Sequence, residues 1–257
     1  MKINVLKITL TLGIMLLQSV NVLALPFCNG DKISSDWNDC IGTVTYENGD
    51  IYDGIFKNGK THGAGSYTWP DGHTFVGEFA KGARVSGNLK MPNGSEYIGT
   101  FKNGKFNGLG ILKLANGAVY EGNFTNGRIN GQAKMNFAGQ TYVGEFINDV
   151  IDGEGTFTTT NGDKYVGKWK DGKRLRGSLK ISDGSEYIGD FKNDVAHGRG
   201  VQLSPGVGNY TGQFENGVFS GKGTFAFTNG QQAGDRYVGY WKNGKYNGLG
   251  TYIAAGG

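Results

Sequence analysis

The chain has 257 residues, of which 47 are glycine and 4 proline, and its formal net charge is +4. Glycine stands at about 18% against a usual ~7%, yet glycine plus proline stays below the ~25–30% of low-complexity disorder and follows no three-residue period, which excludes both a disordered and a collagen-like chain. Aromatic residues at 12% and charges of both signs at 19% describe a folded, turn-rich β protein without the field of a nucleic-acid binder.

Residues 1–24 read as a secretory signal peptide. Lys2 and Lys7 form a positive start, Ile8 to Leu17 an apolar stretch, and Val22-Leu23-Ala24 a site for cleavage after Ala24. The competing reading is a retained anchor, but Thr9, Thr11, Gln18, Ser19 and Asn21 dilute the stretch below the ~20 predominantly apolar residues of a span. Without the leader's two lysines the charge falls to 24 − 22 = +2. An exported protein, periplasmic or extracellular, is therefore expected. The two cysteines, Cys28 and Cys40, then meet an oxidising compartment, so a Cys28–Cys40 disulfide is predicted to staple an N-terminal cap over residues 25–41.

From residue 42 to 257 the chain repeats. An aromatic, a glycine two residues on and a second aromatic four residues on recur nine times. Tyr52-Gly54-Phe56, Tyr97-Gly99-Phe101, Tyr142-Gly144-Phe146 and Tyr237-Gly239-Trp241 are four of these; the others start at Phe75, Tyr120, Tyr165, Tyr187 and Tyr210. The starts are spaced 23, 22, 23, 22, 23, 22, 23 and 27, and the last interval holds an insertion around Gln231-Gln232-Ala233-Gly234. Alternate positions share one face of a strand, and the glycine leaves room for a ring to lie over the backbone. A turn such as Asn58-Gly59 or Asn103-Gly104 follows, then a Gly-x-Gly pair such as Gly63/Gly65, a second strand-like run, and a second turn such as Asp71-Gly72. Asn-Gly supplies the positive φ of a tight hairpin. Each unit is thus predicted as a β-hairpin, marginal alone and stable when stacked along a shared aromatic seam. The prediction is all-β: one elongated antiparallel array of nine hairpins, about eighteen strands at ~4.8 Å spacing. A free sheet edge at its C-terminal end would allow pairing with a second copy.

Tyr97 to Gly110 reads Tyr-Ile-Gly-Thr-Phe-Lys-Asn-Gly-Lys-Phe-Asn-Gly-Leu-Gly, and Tyr237 to Gly250 repeats its fixed positions. This pattern resembles the MORN (membrane occupation and recognition nexus) repeat over residues 42–257. The resemblance implies roles in protein–protein assembly and membrane association. The units starting at Phe75 and Tyr165 depart from it: each is one residue short and lacks the first glycine of the pair, reading Arg84-Val85-Ser86-Gly87 and Arg174-Leu175-Arg176-Gly177. Ala133 replaces the second glycine in the Tyr120 unit, and Asp149 and Asp194 replace a turn glycine. These changes are expected to alter local twist.

No constellation points to catalysis, a metal or a cofactor. Gly217 to Thr224 has the wrong spacing for a phosphate loop. Glu78 and Glu145 sit at a variable, outward strand position, and His62 and His197 at a position read as a solvated turn. Lys57, Lys60, Lys102, Lys105, Lys242 and Lys245 flank the tight turns and give the ribbon a basic edge. That edge either protects a long sheet or contacts anionic lipid or polymer. Trp69, Tyr67 and Phe106 lie off the seam as a stripe for sugar or peptide. The expectation is a non-enzymatic interaction or scaffold protein with a protein partner and no nucleic acid; a lipid- or glycan-binding module is the alternative.

Overall fold

The computed structural model describes residues 25–30 and 36–256; the signal peptide assigned to residues 1–24 lies outside the described residues. Among the described residues nineteen strands run from β1 (Cys40–Thr45) and β2 (Ile51–Lys57) to β18 (Arg236–Lys242) and β19 (Lys245–Ile253). Each pairs antiparallel with its chain neighbours, as β1 with β2 and β18 with β19, and no ladder among the described residues joins β19 back to β1. The result is one open meander with two broad faces. It has one strand more than predicted, because the incomplete first repeat already contributes β1. Cys40 is both a disulfide partner and the first ladder residue, opposite Phe56.

The aromatic face holds the core. Of the nine leading aromatics all but Tyr120 are buried, and Tyr52, Tyr97, Tyr142 and Tyr210 are fully enclosed. Each buried one meets the second aromatic of its own unit edge to face, and all but Tyr237, in the last unit, meet that of the next as well. Tyr52 lies 5.1 Å from Phe56 and 5.0 Å from Phe79; Tyr142 lies 5.3 Å from Phe146 and 5.5 Å from Trp169. Such pairs contribute roughly 0.5–1.5 kcal/mol each beyond the area they bury. The seam therefore couples every repeat to its neighbour.

The ring over the glycine belongs to its own strand. Gly54 pairs with Gly65 across β2 and β3 (Lys60–Thr68), and the Tyr52 ring lies over both. A Cβ at Gly65 would stand 2.5 Å from Tyr52 Oη, and that hydroxyl donates to the Ile55 carbonyl at 2.9 Å. The Tyr120 unit shows what a methyl does here. Ala133 occupies the cross-strand position opposite Gly122 and is itself buried, and Tyr120 is the one leading aromatic left half-buried, packed against the core rather than within it. The substitution acts on the ring.

The two kinds of turn sit on opposite rims, except that Ala138-Gly139 (49° and 78°) places one tight turn among the three-residue loops. The tight turns carry positive φ at both central residues, as at Asn58 (48°) and Gly59 (65°). At the other rim a three-residue loop closes with Gly72 N–H donating to Trp69 O at 3.0 Å and Asp71 Oδ1 accepting from His73 N–H. Tight turns are also tied back to the preceding hairpin: Gly59 N–H donates to Trp37 O and Gly127 N–H to Phe106 O, both at 2.9 Å. After the two short units the tie comes from a side chain, Arg84 Nη2 donating to Gly104 O and Arg174 Nη2 to Asp194 O. The insertion at 231–234 forms a 3-10 turn, Gly230–Gln232, capped by Asn229.

At the N-terminal end Trp37 closes the seam, 4.9 Å from Phe56 and edge-on, its indole N–H donating to Asn29 O. The Cys28–Cys40 disulfide holds this cap against β1. Removing it is expected to cost about 3 kcal/mol on the loop-closure model. The loss should be local, because stability in a repeat array sums over neighbours. Hydrogen exchange in the reduced protein should accelerate at Trp37 and β1 while residues beyond 140 keep their protection; a uniform loss of protection would contradict this.

Candidate functional site

The aromatic face is not sealed along its whole width. Beside the buried seam it opens as a groove lined by half-buried rings, Tyr67, Trp69, Phe157, Phe225 and Phe227, and reaching the tight-turn residues Gly82, Gly172 and Gly244. Strands β3, β11 (Val150–Thr158) and β17 (Val218–Phe227) carry most of these near their ends, where they run past the seam. Hollows of about 620, 440 and 400 Å³ open along it.

The first hollow is lined by Tyr46, Tyr67, Trp69, Phe79 and Arg84, with Lys60 and Asn103 at its edge. Tyr67 and Trp69 lie with ring centres 4.6 Å apart. The Arg84 guanidinium stacks at 5.0 Å on Trp69, 5.1 Å on Phe101 and 5.6 Å on Phe75. Burial pulls its pKa below the ordinary arginine value. Tyr67 Oη donates to Asp50 at 2.6 Å, and Asn48 Nδ2 donates to the same carboxylate oxygen at 2.9 Å. Burial and the Asp50 charge together push the Tyr67 phenol up.

Of the stripe predicted from sequence, Tyr67 and Trp69 do line the groove. Phe106 does not stand apart: it stacks on Tyr97 at 3.8 Å and belongs to the seam. Phe219 repeats this on Tyr210, also at 3.8 Å. Arg84 and Arg174 occupy the position opposite the second aromatic that Phe106 and Phe219 fill elsewhere. The sequence reading noted them only as part of a deletion, and an arginine at the same place in both short units was the available signal. In the full-length units Phe56 pairs with Thr61 but Gly54 with Gly65, so two residues bulge; Phe79 with Arg84 and Gly77 with Gly87 leave only one.

The second face is the plain one. Val76, Ile98, Val143, Val166 and Val238 project from it, 37–63% exposed. It also carries a hollow of about 630 Å³ with Arg176, Arg199 and Lys222, where Arg176 Nε lies 3.5 Å from Asp190. Glu78 is exposed, whereas Glu145 accepts from the Glu154 N–H at 3.3 Å. His62 and His197 lie inside β3 and β15 (Val195–Ser204), half-buried within the bulges, where a turn was expected. Among the described residues no group of three or more His, Cys, Asp or Glu side chains is arranged to hold a metal, and no helix is long and apolar enough to cross a membrane.

The six lysines all lie exposed on the tight-turn rim. Lys57 faces Lys60, Lys102 faces Lys105, and Lys242 faces Lys245 across their turns, and Lys170 faces Lys173 likewise. Lys57 has Asp39 at 3.5 Å and Lys170 has Asp152 at 2.8 Å; Lys102, Lys105, Lys242 and Lys245 make no salt bridge among the described residues.

Comparison with known proteins agrees with the periodicity. The MORN repeat family model matches residues 52–74, 97–119, 120–141, 142–164, 165–174, 187–206, 210–232 and 237–257. The short unit starting at Phe75 is unmatched and the short unit starting at Tyr165 is matched only as far as Arg174. The search of curated proteins found no match. Among solved structures the chain is similar to the SAS-4 (dCPAP) TCP domain of Drosophila melanogaster in complex with a proline-rich motif of Ana2. The TM-score is 0.37 at 12% identity, over 64% of this chain and 84% of that one. It is also similar to the G-box domain of the microcephaly protein CPAP, with TM-score 0.39 at 9% identity over 79% and 99%.

Proposed function

The chain belongs to the MORN-repeat family, and from that premise we propose that it is a non-enzymatic, exported interaction protein that holds a partner protein in its aromatic groove. The groove carries this reading. A single-layer sheet leaves its face open along the array, and tyrosine, tryptophan and arginine are the side chains that concentrate binding energy at protein contacts. Export is supported by the leader-like residues 1–24 and by a disulfide of the kind that persists in oxidising compartments. The test is a photo-crosslinking residue placed at Trp69 or Phe227 in the groove, or at Val166 or Val238 on the other face. Groove positions should capture one common protein in the native cell envelope and the other face should not. Capture from the other face alone, or of lipid alone, would overturn the proposal.

The lysine rim favours a second reading, contact with an anionic membrane surface. Like charges directly opposite on a hairpin are unfavourable, yet they recur at four turns. Each lysine near an anionic leaflet contributes about 1 kcal/mol. Co-flotation with phosphatidylglycerol vesicles should survive physiological salt and be lost when Lys102, Lys105, Lys242 and Lys245 become glutamine. Absence of flotation at low salt would remove the rim from consideration.

A further inference from the structure

The chain contains its own comparison for the Arg84 hollow. A shift of 174 − 84 = 90 residues, four repeats, carries one hollow onto the other. Tyr67 falls on Phe157, Phe79 on Trp169, Gly82 on Gly172, Arg84 on Arg174 and Gly104 on Asp194, and all ten residues line the two hollows. The arginines are held alike. Arg174 stacks on Tyr165 and Phe191 as Arg84 stacks on Phe75 and Phe101, and each donates Nη2 to the carbonyl of the turn residue twenty positions on.

The difference is one carboxylate. Asp194 Oδ1 accepts from Arg174 Nε at 3.2 Å and from the Arg174 backbone N–H at 2.9 Å. Gly104 has no side chain to offer Arg84, and the hollow is about 620 Å³ where the Asp194-filled one is about 440 Å³. Asp50 does not substitute, since Tyr67 and Asn48 hold it and it forms no salt bridge with Arg84. A guanidinium carries five donors in a fixed fork suited to a carboxylate, and Arg84 spends one on Gly104. Lys60 at the edge adds a second positive charge, and Trp69 adds an aromatic wall that the second hollow lacks, having Thr159 there.

We infer that the Arg84 hollow binds the carboxylate of an aspartate or glutamate side chain from the partner protein, in the place that Asp194 fills at Arg174. This deepens the proposed groove function and rests on it. Asp194 is the internal template: a polypeptide carboxylate, presented to the Nε side of a stacked arginine.

The test is NMR of the full disulfide-bonded protein, following Arg84 Nε–H and Trp69 indole N–H. The probes are blocked Gly-Glu-Gly, blocked Gly-Gln-Gly and inorganic phosphate. The glutamate peptide should shift both signals and the glutamine peptide neither. Gly104→Asp supplies the missing carboxylate in cis. Gly104 already has φ +72° where Asp194 has +62°, and a Cβ there meets only Arg84 Nη2 at 3.9 Å. That variant should melt higher and weaken the peptide response at least about tenfold, or ~1.4 kcal/mol. Arg84→Gln should lose the response as well, and decides the matter if Gly104→Asp does not fold. No response to the glutamate peptide, an equal response to the glutamine peptide or to phosphate, or a response that survives Gly104→Asp would overturn the inference. Groove crosslinks that persist while the peptide response is absent would sink the Arg84 assignment and leave the groove function standing.

Discussion

Gly155→Ala is expected to destabilise the array by about 2–3 kcal/mol and lower its melting midpoint by about 5–10 °C, although it adds a single methyl to a strand. Gly155 pairs with Gly144, and a Cβ on it would stand 2.2 Å from Tyr142 Oη and 2.4 Å from Cζ. The three nearest atoms all belong to that side chain, so the ring must move. Tyr142 is fully buried, donates its hydroxyl to Glu145 O at 3.2 Å, and makes edge-to-face contacts with Phe146 and Trp169. Losing these outweighs the ~0.5–1 kcal/mol gained by removing a strand glycine. Ala133 and the displaced Tyr120 are the precedent within the chain. The reciprocal change, Ala133→Gly, should draw Tyr120 over Gly122 and stabilise by about 1 kcal/mol. Thermal melts of the two variants check both signs, with Tyr142 and Tyr120 ring signals reporting the movement. A Gly155→Ala midpoint within about 1 °C of the parent would mean that the ring's seat is not what binds the repeats.

That prediction marks where sequence reading worked and where it stopped. Strand, turn and repeat were legible because they depend on local rules. Tyr52-Gly54-Phe56 shares one face by the strand's period of two, and Asn58-Gly59 declares a turn with two positive φ values. The effect of Ala133 on a ring was not legible, because composition says nothing of a ring lying within van der Waals reach of a Cα; only the register opposite Gly122 reveals that. Phe106 falls outside the aromatic-Gly-aromatic triplet and so reads as lying off the seam, but the two-residue bulge returns it to the seam over Tyr97. Arg84 and Arg174 were visible as a deletion, but their contacts lie twenty residues on, at Gly104 and Asp194, across a hairpin boundary. The groove belongs to this second kind of information. Its walls are assembled from successive repeats, and no single unit contains it. The lysine rim belongs to the first, since flanking a tight turn already places a side chain at the sheet's edge.

The same tyrosine seats should make the protein unfold cooperatively in alkali, between pH 10 and 12. Tyr52, Tyr97, Tyr165, Tyr187 and Tyr210 each have a phenol pushed up to about 12, chiefly by burial. In the unfolded chain a phenol ionises near 10. Below that pH both states keep the proton and the seats' stabilisation is fully present. Above it the unfolded chain has released protons that the folded chain still holds, so stability falls as pH rises and is lost as the folded pKa is passed. Each seated tyrosine steepens the fall by about 1.4 kcal/mol per pH unit, so five acting together reach about 7, comparable to the whole stability of a typical domain. Tyrosinate absorbance and far-ultraviolet dichroism should therefore change together in one steep step inside that window. Gly155→Ala, already short of one seat, should shift the step to lower pH. A gradual rise in tyrosinate with the β-sheet signal intact through pH 12 would mean that the rings ionise in place, and that burial in the seam does not hold them protonated.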